Sequence, residues 1–163
     1  MAEPLEPMAT AIAEMLFERG ETVAICETTA GGLVSAALLA IPGASRYYRG
    51  AAVTYTGVAR STFLEIELED YPGVRSSSEP YAQLIAETIR ERLGATWGIG
   101  ETGAAGPSGN PYGDAAGHTC IAIAGPVEYV ETLETGDDNR EENMWVFARR
   151  TLTVFEEVLR NAG

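Results

Sequence analysis

The stretch Thr22–Gly32 reads TVAICETTAGG. Thr22 to Cys26 is short, apolar and β-branched, which predicts a buried strand. Glu27-Thr28-Thr29-Ala30-Gly31-Gly32 then turns the chain. Leu33 to Ile41 reads as a buried helix, stopped by Pro42-Gly43. A buried strand that feeds a buried helix through a tight turn is a unit of an α/β layer.

The flanking sequence extends that unit. Leu5, Met8, Ala9, Ile12, Met15 and Leu16 recur at helical spacing, and Gly20 ends the run. Beyond the turn, Arg49 to Thr56 predicts a second strand and Val58 to Glu65 a short helix. Glu67 to Val74 is a polar loop, and Ser78 starts a helix that runs to Gly94. Ala95 to Thr102 predicts a third strand, followed by a Gly/Pro/Asn-rich loop, Gly103 to Gly117. His118 to Ala124 and Glu128 to Leu133 read as a hairpin around Gly125-Pro126-Val127. Asp137 or Asp138 is expected to cap a last helix with Trp145, Ala148, Leu152, Phe155 and Leu159 on one face. Helices between the early strands imply parallel pairing, and the late hairpin adds an antiparallel strand. The expected fold is a single α/β domain over 1–163, three layers α/β/α, with a mixed, mostly parallel sheet of about five strands.

Composition excludes several functions. The chain has 163 residues and a net charge of −13, and its 11 basic residues are all Arg. Nucleic acid is not an expected partner, because phosphate backbones are bound by clustered cations. A small anion can still be held by backbone N–H groups and one or two Arg. The lack of Lys removes Schiff-base chemistry. The acidic start, Met1 to Pro7, has no apolar signal region, and no run is long enough to span a membrane. A cytoplasmic protein is expected, with Cys26 and Cys120 as reduced thiols in apolar strands; a Cys26–Cys120 disulfide is the alternative. No Cys/His spacing matches a zinc site, and no metal or cofactor is expected.

Four segments can carry chemistry. The Glu27–Gly32 turn suits anion binding or the presentation of a hydroxyl nucleophile; taken alone, it reads as a capped helix with glycines for close packing. Thr54-Tyr55-Thr56-Gly57-Val58-Ala59-Arg60 places a Tyr at a strand end and an Arg one turn further on; singly, these are an edge Tyr and a solvated Arg. Gly100-Glu101-Thr102-Gly103-Ala104-Ala105-Gly106-Pro107 leads a strand into a loop whose amides can form an anion nest, or is a long surface loop. Arg140, in the first turn of the last helix, opposes the helix dipole; it serves a phosphate or pairs with nearby acids. His118, the single His, suits a hydrogen-bonding role at a strand start. In open α/β sheets ligands bind at the carboxyl ends of parallel strands, where the first three segments are expected to meet.

In this order and at these distances, the segments resemble the CinA C-terminal family. Its pattern has a Glu-Ser-Cys/Thr-Thr/Ala-Gly-Gly turn, matched by Glu27 to Gly32, and a Pro-Gly-Ser-Ser step, matched by Pro42-Gly43-Ala44-Ser45. Its Val-Thr-Tyr-Ser-Asn-x-x-Lys segment is matched by Val53 to Arg60, and its Thr-Gly-Ile-Ala-Gly-Pro loop by Thr102 to Pro107. The match runs from about Leu5 to Leu159. The molybdopterin-binding-like domain of longer members is expected to be absent. The resemblance implies hydrolysis of the carboxamide of nicotinamide mononucleotide, giving nicotinic acid mononucleotide and ammonia. It implies a nucleophile at Thr28, helped by Tyr55 and residue 60. Glu27, Thr29, Gly31, Gly32, Gly57, Thr102, Gly103, Gly106 and Arg140 are the expected binding residues for a small-molecule nucleotide, in a homo-oligomer. Three positions depart from the pattern: Thr28 replaces Ser, Arg60 replaces Lys and Gly57 replaces Asn. A guanidinium does not deprotonate in a protein, so a Ser–Lys mechanism loses its base here. The alternative is a catalytically silent member that binds a nucleotide-like ligand or acts through an oligomer.

Overall fold

The computed structural model describes residues 3–163. Five strands form one sheet: β1 (Val23–Glu27), β2 (Tyr48–Val53), β3 (Trp97–Ala104), β4 (His118–Ala124) and β5 (Tyr129–Glu134). Their spatial order is β2-β1-β3-β4-β5. β1 pairs in parallel with β2 and β3, while β4 runs antiparallel to both β3 and β5. Four strands therefore share one direction and β4 opposes them, which is the mixed, mostly parallel sheet expected from the sequence. Helices α1 (Glu6–Arg19), α2 (Leu33–Leu39) and α5 (Arg140–Ala162) cover one face. On the other lie α3 (Gly57–Ala59), a π-helical turn (Arg60–Leu64) and α4 (Glu79–Leu93).

The two faces of β3 differ because its sequence, WGIGETGA, alternates large and small. Trp97, Ile99 and Glu101 point toward α5, where Trp97 meets Phe155 edge-to-face at 5.8 Å. Gly98 and Gly100 face α4 at backbone contact. A Cβ on Gly98 would lie 2.1 Å from the Ala86 carbonyl oxygen, and one on Gly100 2.3 Å from that of Ala82. The α4 face is accordingly built of small residues, Ala82, Ala86, Cys120, Ala122 and Ala124. The larger core, with Ile12, Leu16, Ile25, Leu38, Ile121, Phe147 and Leu152, sits under α1, α2 and α5. Cys26 and Cys120 are free buried thiols, separated by β3. Burial pushes them up to about 12 and about 11, so both stay protonated. Among the described residues no helix is long and apolar enough to cross a membrane.

Several boundaries move from their sequence positions for local reasons. β2 ends at Val53 rather than Thr56, because the Thr56 hydroxyl accepts the Ala59 N–H at 3.1 Å and caps α3. The helix expected over 58–65 is one α turn followed by the π-helical turn. β3 starts at Trp97 and takes in Gly103 and Ala104, which shortens the following loop to 105–117. α5 is capped by Asn139, not by Asp137 or Asp138. The Asn139 side chain accepts the Glu142 N–H at 3.1 Å, and Asp137 instead receives the Asn139 N–H at 2.9 Å.

Candidate active site

Strand alternation decides what faces the cleft. Glu27 and Glu101 are register partners on β1 and β3, and both point to the α2–α5 side. The Glu27 carboxylate accepts N–H bonds from Gly32 and Val34, each at 3.1 Å, and from Ser35 at 2.9 Å. It closes the start of α2 and is fully buried. Burial raises it to about 7, against the pull of the three donors; the nearby Glu101 adds to the rise. Glu101, also fully buried, accepts from the Thr28 and Ala30 amides at 3.2 and 2.8 Å. It also accepts from the hydroxyls of Thr29 and Thr119, and burial raises its pKa. These two carboxyls hold the turn from behind.

The residue that follows β1 falls on the opposite side. Thr28 lines a cavity of about 80 Å³ together with Thr54, Tyr55, Gly57, Arg60, Ser77, Tyr81 and Thr102. Arg60 Nε donates to the Ile66 carbonyl at 3.4 Å, and its positive charge acts on the buried Tyr81 phenol. Burial raises Tyr81 despite that cation. A Cβ on Gly57 would stand 3.4 Å from Arg60 Nη2, at ordinary van der Waals contact.

Tyr55 and Gly103 also line an outer cavity of about 330 Å³, completed by residues 104–111 and Arg140. Arg140 spans its mouth. Nη1 donates to the Gly106 carbonyl at 2.5 Å, and Nη2 to the Tyr55 hydroxyl at 3.0 Å. The loop is fastened to α5 by buried Asn143, which donates to the carbonyls of Ala105 and Asp137, both at 2.8 Å. Gly106 has φ +118, and a Cβ there would meet the Asp138 carbonyl oxygen at 2.6 Å, so only glycine fits.

The structure thus gathers Thr28, Tyr55, Arg60, Gly57, Thr102 and Gly103 around the inner cavity, and Tyr55, Gly103, Gly106 and Arg140 around the outer one. It does not bring Glu27, Thr29, Gly31 or Gly32 to the cleft. The Thr29 hydroxyl is turned to Glu101. The Gly31 and Gly32 amides are spent on the Thr28 carbonyl and Glu27, and Gly31 packs on Met144. Sequence reasoning missed Ser77, Tyr81, Asn143 and the role of Glu101. For Glu101 a signal existed: a carboxylate inside an apolar, glycine-rich strand has to find donors.

The cleft has a distinct electrostatic character. Among the described residues, no carboxylate pairs with Arg60 or Arg140, although acids outnumber bases 24 to 11. No Asp, Glu or His lines either cavity. A separate groove of about 290 Å³ beside α4 carries Glu87 and Glu128. Burial and the facing Glu128 raise Glu87 there, and that groove repels anions.

Comparison with known proteins agrees with this architecture. The model of the CinA C-terminal domain matches residues 5–159. A CinA-like protein of Trichodesmium erythraeum is 34% identical over 141 residues, covering 86% of this chain and 33% of that protein. One from Gloeobacter violaceus is 39% identical over 123 residues, covering 76% and 29%. The chain thus spans about a third of the length of these curated relatives. Among solved structures, a CinA superfamily protein of Klebsiella pneumoniae superimposes with a TM-score of 0.90 at 24% identity, over 98% of this chain and 99% of that one, which shows a shared fold. A competence/damage-inducible protein of Agrobacterium tumefaciens gives 0.88 at 25% identity over 98% of each chain. With its sheet, its turn and its loop all in the matched span, the chain belongs to the CinA C-terminal domain family.

Proposed function

We propose that this chain binds a pyridine mononucleotide in the two-part cleft and hydrolyses its carboxamide slowly. The observation that carries this reading is the pair of arginines without carboxylate partners, Arg60 and Arg140, on adjoining cavities lined with hydroxyls. Arg140 and the 105–111 loop suit the phosphate, and the inner cavity suits the carboxamide beside Thr28. The outer volume of about 330 Å³ is in the usual range for small-ligand sites. In the reaction, the Thr28 oxygen attacks the amide carbon and gives up its proton. Ammonia leaves with that proton, and water then releases the acid. Arg60 and the phenols of Tyr55 and Tyr81 can donate to the developing oxyanion.

The weak step is deprotonation. No carboxylate, imidazole or amine lines the inner cavity, and Arg60 cannot accept a proton. The extra methyl of Thr28 also restricts the hydroxyl rotamer. Losing a positioned base typically costs about 10²–10⁴-fold. Ammonia release from nicotinamide mononucleotide is therefore expected to be at least about a hundredfold slower than in a Ser/Lys relative. Thr28→Ser with Arg60→Lys should recover part of the rate, and neither single change as much, because a nucleophile and its base act as a unit. Single-turnover assays on the parent, both singles and the double test this. A parent at family-like speed refutes the loss of the base. Calorimetry and melting that show no response to any pyridine nucleotide up to millimolar concentrations refute the binding.

A further inference from the structure

Behind the inner cavity, Ser76 and Ser77 form a wall that the catalytic chemistry does not use directly. Ser77 holds φ +60, a left-handed conformation that costs a non-glycine residue energy and needs outside support. Its amide donates to the Thr102 hydroxyl at 3.2 Å, and its hydroxyl to the Gly103 carbonyl at 3.1 Å. Its carbonyl faces His118 Nε2 at 2.8 Å and more weakly accepts from Arg75 Nη1 at 3.4 Å and Cys120 Sγ at 3.6 Å, while Arg75 Nη1 also donates to the Ser76 carbonyl at 3.0 Å. The other ring nitrogen, Nδ1, lies 2.5 Å from the Glu134 carboxylate.

Both ring nitrogens of His118 therefore face acceptors. A neutral imidazole has one N–H and can satisfy only one of them; an imidazolium satisfies both. The surroundings favour the charged ring. Asp114 Oδ2, on the 105–117 loop, lies 3.6 Å from Nε2. Arg75, before α4, opposes it but is itself bound to Asp114 in a two-pronged ion pair at 2.7 and 3.1 Å. Cys120 on β4 lies 3.7 Å from Nε2, and its thiol stays protonated. Glu79 on α4 adds negative charge through the Thr132 hydroxyl, which in turn reaches Cys120. Burial alone would lower the His118 pKa. The Glu134 carboxylate, the Ser77 carbonyl and Asp114 outweigh it and raise the value above the usual 6.5.

We propose that His118 is a positioning residue for the cleft: as a doubly protonated ring it pins the Ser76–Ser77 wall in place, and loss of the ring proton releases that wall. The bond to the Glu134 carboxylate is charge-assisted and is the one a neutral ring keeps. The Nε2 lone pair is then left facing the Ser77 carbonyl oxygen. Stabilisation by a raised histidine is complete below the unfolded value and is lost as pH rises through the folded one, so the wall loosens as pH climbs past 6.5. For its ligand this inference rests on the proposed nucleotide binding; for the wall itself it does not.

The test separates the two. Amide hydrogen exchange at Ser77, expressed as protection relative to intrinsic exchange, is followed from pH 6 to 9 in the ligand-free protein. Wild type should lose about tenfold or more protection, the size expected for a lost hydrogen bond to a charged group, with a midpoint above 6.5. In His118→Gln, where a non-titrating amide N–H replaces Nε2–H, protection should not change with pH. In Glu134→Gln, which leaves the Ser77 contact untouched, the midpoint should move down. Nicotinamide mononucleotide affinity should fall in step with protection in wild type and fall less in His118→Gln. Protection independent of pH in wild type, an equal fall in His118→Gln, or an unmoved midpoint in Glu134→Gln would each overturn the proposal. If nicotinamide mononucleotide binds at no pH, the proposed function fails and the Ser77 readout still decides the role of His118.

Discussion

Replacing Glu27 by Gln should change how stability depends on pH, by an amount the structure sets. The Glu27 carboxyl is fully buried, and its pKa rises from 4.5 to about 7, chiefly through burial and in spite of three N–H donors. The folded state therefore holds this proton more tightly than the unfolded chain. Its stabilising contribution is complete below pH 4.5 and is lost as pH rises through 7. At 1.36 kcal/mol per unit, the whole loss is about 3 kcal/mol. Glu101, raised in the same direction, and His118 also lose stability as pH rises. So does the chain as a whole, through its self-repulsion at −13. A falling stability in wild type alone would therefore prove little. Glu27→Gln removes one proton site and leaves the other contributions in place. Its amide nitrogen must face at least one of the Gly32, Val34 and Ser35 N–H groups, so the variant is less stable at pH 5. As pH rises from 5 to 8, wild type loses most of its advantage, and the gap should narrow by about 2.5 kcal/mol. Urea unfolding of both proteins at pH 5, 6, 7 and 8, at fixed ionic strength, measures the gap. A gap constant to within a few tenths of a kcal/mol would show that Glu27 ionises when folded as it does unfolded, and the burial argument would fail.

Two further outcomes follow from geometry. Gly100→Ala puts a methyl 2.3 Å from the Ala82 carbonyl oxygen and 3.0 Å from the Ala86 nitrogen, so backbone must move; a loss of about 2–3 kcal/mol is expected in urea unfolding, and a loss under about 0.5 would show that α4 is not seated on β3 as described. Arg140→Ala removes the cation at the outer cavity; it should weaken nicotinamide mononucleotide about 10–100-fold by calorimetry while leaving the phosphate-free riboside nearly unchanged, and equal effects on both would place the phosphate elsewhere.

The fold was legible because its signals are local. The β1 strand, the turn after it and the amphipathic α5 each declare themselves within about a dozen residues. Boundaries blurred where neighbouring residues compete for one role. Thr54 to Thr56 are β-formers, yet Thr56 is worth more as a cap for α3. Asp137, Asp138 and Asn139 can all cap a helix, and sequence does not rank them. The site was legible in part. Tyr55 and Arg60 follow β2, Thr102 lies near the end of β3, and Arg140 starts α5. Glu27 was drawn toward the cleft by its proximity to Thr28, although the period of two in a strand sends adjacent side chains to opposite faces. Ser77 and Tyr81 enter from the loop before α4 and from its first turns, and no short-range pattern ties them to Thr28.

The placement of charge also says where pH can act. Arg60 and Arg140 keep their charge across the working range, and a phosphate monoester is close to fully ionised above pH 7, its second pKa being about 6. Between pH 7 and 9 the electrostatic attraction between cleft and phosphate should thus be nearly constant. The Tyr81 phenol, raised by burial, titrates above that interval. The titratable groups shifted upward stand behind the walls: Glu27, raised to about 7, and Glu101 under the turn that carries Thr28, and His118 under Ser77. A pH dependence of ligand affinity in that interval would therefore report the supports of the cleft rather than its lining. Salt dependence, by contrast, would report the two arginines. In a Ser–Lys site the two cannot be separated, because there the lining itself carries a titrating base. The exchange of that base for Arg60 makes this cleft a fixed cationic seat on titratable supports.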